Sequence, residues 1–406
     1  MNSKTSVPER SRTKLDSVEG DLVLGRRAIV DGAGTPPAVK VLGTIYCEGD
    51  NVFECNLSAE NMESEDDVVV HGDLEIERHV RVEDGRLEVH GKMTAKRVDV
   101  DAALYVTKDL AVEEVDVGGS LKVDGDVKAE DIDVGGSFEA GGEAVAEKID
   151  VGGSVSIHST VSITKLDVGG AAKVGGGKIS RIDVGGSFKS TDSLEFEQIN
   201  VGGVVRLTST NKGGDVNVGG SFKVDGDLEF NEIEVGGKVE IAGSGEGRDI
   251  EVGGKVKTGK SLKLSGNLEV GGKVEVDEEA SARNIEVGGS LRSRKVTAEE
   301  RVDVGGSIAT EEGVAAESVE IGRRGRVIGP IRADRVVIDQ DAHAEDIYGK
   351  EVILRSGAHA RNVYGATIII ESHCHISGQI QYTHELKTNN SITLAKTPQK
   401  VEKLPL

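Results

Sequence analysis

The chain has 406 residues and a formal net charge of −22, with 55 glycines, no tryptophan and only 3% aromatic residues. This composition excludes a conventional core built on large aromatic side chains, so any core has to be thin and aliphatic. The acidic balance is the opposite of what phosphate neutralisation requires, so we expect no nucleic-acid partner.

Cysteine usage and hydropathy bear on the compartment. The three cysteines, Cys47, Cys55 and Cys374, fit no disulfide framework. The N-terminal sequence MNSKTSVPERSRTK has no apolar run of the kind that forms a signal peptide, and no stretch approaches the ~18 apolar residues of a membrane span. We expect a cytoplasmic protein that does not span a membrane, and we leave its membrane association open.

The first two predicted segments are a tail and the opening of a β-coil. Residues 1–17 are basic, and we predict that they form a disordered tail. Residues 18–114 alternate apolar and polar positions, as in VHGDLEIERHVRVEDGRLEVHGKMTAKRVDV, with Val82 and Val100 in register with Val117. Alternation with a period of two predicts strands, so we expect divergent turns of the coil here.

Residues 115–310 carry an internal repeat that decides the fold prediction. The tripeptide Val-Gly-Gly recurs at steps of about 17 residues, beginning at Val117, Val134, Val151, Val168, Val184, Val201, Val218, Val235, Val252, Val270, Val287 and Val304. Each period holds three short alternating runs separated by Gly-Gly, Asp-Gly or charged corners. We therefore predict an all-β fold, a single-stranded parallel β-helix (β-solenoid) with one three-sided turn per repeat and a regular shaft over this segment.

The column that follows Gly-Gly supports this stacking. Equivalent positions of successive turns should lie about 4.8 Å apart and share one side of the wall. The column is apolar throughout: Leu121, Phe138, Val155, Ala172, Phe188, Val205, Phe222, Val239, Val256, Val274, Leu291 and Ile308. We expect it to face inward, and roughly 21 turns at this spacing would give a rod on the order of 100 Å.

The last two segments continue the coil and then end it. Residues 311–385 keep the register of the repeat, through Ile321, Ile338, Leu354 and Ile370. Residues 386–406 carry four Lys residues against one Glu, and we predict a second disordered basic tail.

Both ends of the coil show a family resemblance. The C-terminal turns read VEIGRRGRVIGPIRADRVVIDQDAHAEDIYGKEVILRSGAHARNVYGATIIIESHCHISGQI, and the coil opens with GDLVLGRRAIVDGAG and VKVLGTIYCEG. A Val-x-Ile strand, a Gly-Ala-x-Ala corner and a Gly-x-Ile strand in each turn resemble the bactofilins, a polymer-forming cytoskeletal family. The resemblance implies a right-handed β-helix in a cytosolic filament protein that joins end to end without nucleotide.

The ends of a β-coil are candidate contacts for assembly, because they expose unpaired N–H and C=O groups around an apolar cross-section. The candidate interface residues are Leu22, Leu24, Ile29, Phe53, Ile368, Ile370, Ile376, Ile380 and Tyr382. The alternative is that they are ordinary core residues shielded by the tails.

One outward column is acidic at ten of twelve places: Asp116, Asp133, Asp150, Asp167, Asp183, Asn200, Asn217, Glu234, Glu251, Glu269, Glu286 and Asp303. Like charges about 4.8 Å apart repel by about 0.9 kcal/mol per pair in water. We predict pairing with a partly basic column on the next strand, formed by Lys122, Lys173, Lys189, Arg206, Lys223, Lys257 and Arg292. Binding of divalent cations, or docking of another molecule's basic tail, remains the alternative.

Histidines and tyrosines form shorter columns near the C-terminus. His343, His359 and His375 recur at the corners, and with His373 they are weak candidates for metal ligands, an exposed corner ladder being the alternative. Tyr348 and Tyr364 form a two-residue stack that we interpret as packing.

Function is predicted from these features together. We expect a cytoskeletal or scaffold protein that self-assembles into filaments, with its own copies as partners, no cofactor and no catalytic residues. A rigid intracellular spacer that does not polymerise is the alternative. An enzyme of the hexapeptide-repeat type is disfavoured, because three hexapeptide units would make each turn longer than the repeat in this chain, and inserted loops would be needed to build a pocket.

Overall fold

The computed structural model describes residues 3–389 and 391–405. Over these residues the chain is all-β without a helix, and it forms a parallel β-solenoid of about 23 turns with about 17 residues per turn. The predicted fold class is confirmed, with slightly more turns than expected. The chain divides into two compact units, Met1–Gly202 and Gly203–Leu406. This division falls within the predicted shaft.

The strands of the first unit are β1 to β28. In chain order they are Lys4–Val7, Arg12–Leu15, Ser17–Val18, Asp21–Leu24, Ile29–Gly32, Ala38–Val41, Thr44–Cys47, Asn51–Glu54, Asn56–Ser64, Val68–Val70, Leu74–Val82, Arg86–Val89, Met93–Thr94, Arg97–Val100, Ala103–Val106, Leu110–Ala111, Glu114–Val117, Ser120–Val123, Val127–Lys128, Asp131–Val134, Ser137–Ala140, Ala144–Val151, Ser154–Ile157, Val161–Val168, Ala171–Val174, Gly177–Val184, Ser187–Ser190 and Leu194–Val201.

The strands of the second unit are β29 to β51. In chain order they are Val204–Leu207, Asn211–Val218, Ser221–Val224, Leu228–Glu229, Glu232–Val235, Lys238–Ile241, Gly245–Gly247, Asp249–Val252, Lys255–Thr258, Leu262–Leu264, Asn267–Val270, Lys273–Val287, Ser290–Val304, Ser307–Ala309, Gly313–Ile321, Arg326–Ile328, Ile331–Ile338, His343–Leu354, His359–Ile370, His375–Ile376, Ile380–Thr388, Thr393–Leu394 and Gln399–Lys400.

One turn shows how the alternating sequence produces the coil. In β17 (Glu114–Val117) and β18 (Ser120–Val123) every second residue is buried, and β19 (Val127–Lys128) buries its first residue. Each strand pairs in parallel with its equivalent in the next repeat, as Val117 does with Val134. Since successive side chains of a strand point to opposite faces, the apolar residues line the interior and the charged ones face solvent.

The core is thin and aliphatic, as the composition predicts. In the first unit the column after Gly-Gly is buried, including Leu121 and Phe138 at 1% exposure each. The cysteines act as small apolar residues: all three are free and buried. Burial raises the pKa of the Cys55 thiol to about 11, and the charges of Asp31 and Glu54 add to that shift.

The repeated Gly-Gly pair is explained by the close approach of successive turns. A Cβ atom added to Gly152 would collide with the carbonyl oxygen of Gly135 one turn below, and one added to Gly153 with that of Gly136. Neither glycine has a positive φ. The close approach of the turns, and not a positive φ, therefore requires glycine at this pair.

Candidate assembly surfaces and side-chain columns

The first turn of the coil begins earlier than the sequence predicted. Strand β1 pairs with β4, so that Thr5 lies against Leu22 and Val7 against Leu24. Strand β2 pairs with β5. This corrects the expectation of a disordered tail over residues 1–17 for the residues in β1, β2 and β3, while residues 1 and 2 lie outside the described residues. The missed signal was the period itself, because Thr5 and Val7 precede Leu22 and Leu24 by one full repeat and alternate with the outward Lys4 and Ser6.

The N-terminal interface candidates lie in the second and third turns, so the first turn covers them. Leu22, Leu24 and Phe53 are fully buried, and Ile29 is half-buried. Their burial fits the alternative that they are core residues. Among residues 3–389 and 391–405, the strands β1, β2 and β3 form an edge of the coil and pair on one side only, with β4, β5 and β6.

The C-terminal candidates are likewise covered by later residues. Ile368, Ile370, Ile376 and Ile380 are buried, and Tyr382 is half-buried. Strand β49 (Ile380–Thr388) pairs with β47, and two short strands follow it, β50 (Thr393–Leu394) on β48 and β51 (Gln399–Lys400) on β49. This corrects the prediction of disorder over residues 386–406 for the residues in those strands.

The acidic column obtains its cations from its own strand. In the first unit, Lys148 pairs with Asp150 at 3.3 Å and Arg181 pairs with Asp183 at 2.7 Å, in each case two residues earlier on the same face. The predicted basic column uses other carboxylates instead, as Lys122 does with Asp124. The prediction of pairing with the next strand is therefore corrected. The reason is that side chains two apart on one strand are closer neighbours than those across a corner.

Part of this column has no cation. Asp116 and Asp133 lie side by side in the register of β17 and β20, and neither forms an ion pair with any residue in the described parts of the chain. Partial desolvation raises the pKa of the Asp116 carboxyl, and the charges of Asp133 and Asp99 raise it further. Asn200 relieves the same repulsion elsewhere, because its amide donates to Asp183 at 2.8 Å.

The histidine corner forms a stacked ladder in the second unit. The rings of His343 and His359 stack with centroids 4.4 Å apart, and His375 follows at 5.6 Å with a tilt of 44°. His359 is half-buried, and desolvation lowers its pKa, helped by the charges of His343 and His375. His373 is exposed, at a φ of 61°.

These histidines do not converge as metal ligands. The only group of three potential ligand atoms within 4.8 Å of one another, in residues 3–389 and 391–405, is Asp50, Asp66 and Asp67 in the first unit. Arg26 binds Asp66 at 2.7 Å and Arg27 binds Asp50 at 3.2 Å, so guanidinium groups balance that cluster. The buried Cys374 thiol instead donates to the carbonyl oxygen of Arg355 at 3.1 Å.

The tyrosine stack is a packing feature, as predicted. The rings of Tyr348 and Tyr364 lie 4.8 Å apart with an interplanar angle of 16°. The guanidinium of Arg332 lies 5.0 Å from the centre of the Tyr348 ring, and the hydroxyl of Tyr364 accepts a hydrogen bond from Gln379 at 2.6 Å.

The fold and these columns define a β-solenoid repeat protein. No protein-family model matches this chain, and no curated protein or solved structure matches it either. The bactofilin resemblance therefore rests on the motifs at the two ends of the coil.

The described part of the chain contains no helix that is long and apolar enough to cross a membrane.

Proposed function

We propose that this protein is a cytoplasmic scaffold whose copies join end to end into nucleotide-independent filaments, as the resemblance to bactofilins implies. The observation that carries the proposal is the open edge of the first turn. Strands β1, β2 and β3 have no strand partner on their outer side in the described part of the chain, and such an edge is a template for pairing with another chain.

The backbone of β2 shows which groups are available. The amide of Ile29 donates to the carbonyl of Ser11 at 2.8 Å, and alternate residues of a parallel strand face the same neighbour. Arg12 and Lys14 therefore direct their N–H and C=O groups away from β5, toward the open edge. Their side chains are exposed, so a second strand could approach without disturbing the core.

The opposite end also offers an edge. Residues Glu385–Thr388 of β49 pair with β47 on one side, and no described strand pairs with them on the other. Leu386, which lies over Ile368, is half-exposed there. An apolar side chain next to an unpaired strand is the kind of surface that a second copy would cover.

Charge predicts how salt affects such an assembly. Four Lys or Arg residues stand against one Glu in the first 14 positions, and four Lys against one Glu in residues 386–406. Both ends are therefore basic, and end-to-end contact is opposed by repulsion that salt screens. Lateral docking of a basic tail on the acidic column would show the opposite salt dependence.

A matched pair of variants tests the proposal. Lys14→Pro removes an outward N–H from the edge, while Lys14→Ala makes the same change of charge and keeps the N–H. In sedimentation velocity, we expect the wild type and Lys14→Ala to form large assemblies and Lys14→Pro to remain small. Equal sedimentation of all three proteins as monomers at every concentration would instead indicate the non-polymerising spacer.

A further inference from the structure

The C-terminal segment, residues 391–405, covers part of the last turn. Strand β50 (Thr393–Leu394) pairs with His375–Ile376, and β51 (Gln399–Lys400) pairs with Gln381–Tyr382. Two of the three sides of the turn thus carry an additional strand, and the side at Glu385–Thr388 carries none formed by the described residues. The segment is an incomplete final turn that acts as a cap over most of this end.

After β51 the chain turns back along the outside of the coil. The amide of Val401 donates to the carbonyl of Tyr382 at 2.9 Å. Leu404 and Pro405 then line a groove with Ala333 and Gly349, which belong to earlier turns. A descent of about three turns, at about 4.8 Å each, matches the length of about four extended residues.

The exposure of this stretch fits a docked peptide. Val401 and Leu404 are half-buried, whereas Glu402 and Lys403 between them are exposed. The apolar residues therefore face the coil and the charged ones face solvent. Pro405 lines the groove but is exposed, and it has no N–H group that would need a partner there.

The groove itself suits a small apolar ligand of this kind. Its floor consists of Ala316, Ala333 and Gly349, whose short side chains leave space above the strands. Tyr348 and Lys350 also line the groove, and the Lys350 ammonium binds the carboxylate of Asp334, another lining residue, at 2.7 Å. The charged residues of the lining already have partners, since Lys350 is paired with Asp334 and Arg332 lies 5.0 Å from the centre of the Tyr348 ring.

We propose that this groove is a docking site for the chain's own Leu404–Pro405 and that the docked segment is a latch that holds the cap in place. Release of the latch frees β50 and β51, which exposes the edges of β48 and β49 to a second copy. The statement about a second copy rests on the proposed end-to-end assembly. The docking itself does not.

Three variants of the full-length chain test the latch. Leu404→Asp places a charge on the docked segment, against the groove floor. Ala333→Glu changes the groove instead, because its larger charged side chain occupies the floor. Lys403→Ser is the matched control, because it changes the net charge by the same amount as Leu404→Asp at an exposed position. Hydrogen exchange is then followed at residues 393–401.

We expect exchange at these amides to accelerate about tenfold or more in Leu404→Asp and Ala333→Glu and to remain at the wild-type rate in Lys403→Ser. Unchanged exchange in both groove variants would overturn the docking, whether or not the protein forms filaments.

Assembly of the same variants, measured by sedimentation velocity, separates the two proposals. Faster exchange together with faster assembly supports the latch as a control on assembly. If exchange is faster but assembly equals that of the wild type, the idea that the latch controls assembly is overturned. Faster exchange without assembly in any of the proteins supports the docking and contradicts the end-to-end filament.

Discussion

The imidazole of His359 lies parallel to that of His343, with ring centroids 4.4 Å apart and planes inclined by 1°. Desolvation lowers the pKa of His359 from its ordinary value of 6.5. The charges of His343 and His375 lower it further, and that of Asp341 opposes the shift. Arg326, which precedes His343 in the register, adds another cation to the same column.

The ladder predicts a loss of stability in acid. The folded state favours the neutral form of His359 more than the unfolded state does. The stability that this preference gives the folded state is lost as pH falls through the ordinary pKa of 6.5. The protection factors of the amides in residues 359–376, which correct for the intrinsic pH dependence of hydrogen exchange, should therefore fall on acidification from about pH 7.5 to 5.5. His359→Gln should weaken this response, and His158→Gln, at an exposed position of the other unit, should not. A response unaltered in His359→Gln would contradict the account.

The carboxylates without cations predict a stabilising substitution. The raised pKa of Asp116 means that its charge is less favourable in the folded state than in the unfolded state. The ionised carboxylate therefore lowers the free energy of unfolding once pH exceeds the raised pKa. Asp116→Asn should raise the free energy of unfolding at pH 7 by about 0.5 kcal/mol. The gain should vanish below the usual carboxyl pKa of 3.8. Asp150→Asn is the control, because it removes a partner of Lys148 and should give no gain in urea unfolding.

The glycine pair predicts a destabilising substitution where alanine ordinarily helps. Gly152→Ala places a Cβ against the carbonyl oxygen of Gly135, and the adjacent turns have to separate to accommodate it. We expect the free energy of unfolding to fall by about 1–3 kcal/mol in chemical denaturation. Ser154→Ala, at an exposed position two residues later, should have little effect. Equal stability of the two variants would show that the turns are not packed as closely as described.

A buried hydroxyl predicts a second stabilising change. Thr258 is fully buried between Ile241 and Val276, and its Oγ1 has no hydrogen-bond partner in the described residues. An unsatisfied buried hydroxyl costs about 1–3 kcal/mol, so Thr258→Val should raise the free energy of unfolding by about 1 kcal/mol. Thr310→Val is the contrast, because that hydroxyl donates to Ile328 at 3.2 Å and its loss should destabilise. A destabilised Thr258→Val variant would imply a partner for the hydroxyl.

The fold was predictable because its signal is repeated. The Val-Gly-Gly period places Val117 over Val134, and the alternation around it assigns the inner and outer faces. Single-copy features were harder to predict. Lys4 and Lys14 suggested a solvated basic tail, although Thr5, Val7 and Thr13 between them keep the period of the repeat.

The candidate sites were predicted less well, because their positions depend on three-dimensional detail. Spacing identified the His343–His359 stack, but ring orientation, which spacing does not encode, separates a stack from a metal site. The cations of the acidic column were predicted on the next strand, whereas Asp150 pairs with Lys148 of its own strand. The placement of Leu404 at the groove near Ala333 is not part of the sequence repeat, so no periodic pattern could indicate it.

Negative-stain electron microscopy of the full-length protein, over salt from about 0.05 to 0.5 M, tests the central claim most directly, because screening of the basic ends grows over this range. We predict linear filaments many molecules long that lengthen with salt, persist in Lys14→Ala and are lost in Lys14→Pro. Single molecules at every salt and protein concentration, or lateral bundles that dissolve as salt rises, would contradict end-to-end assembly.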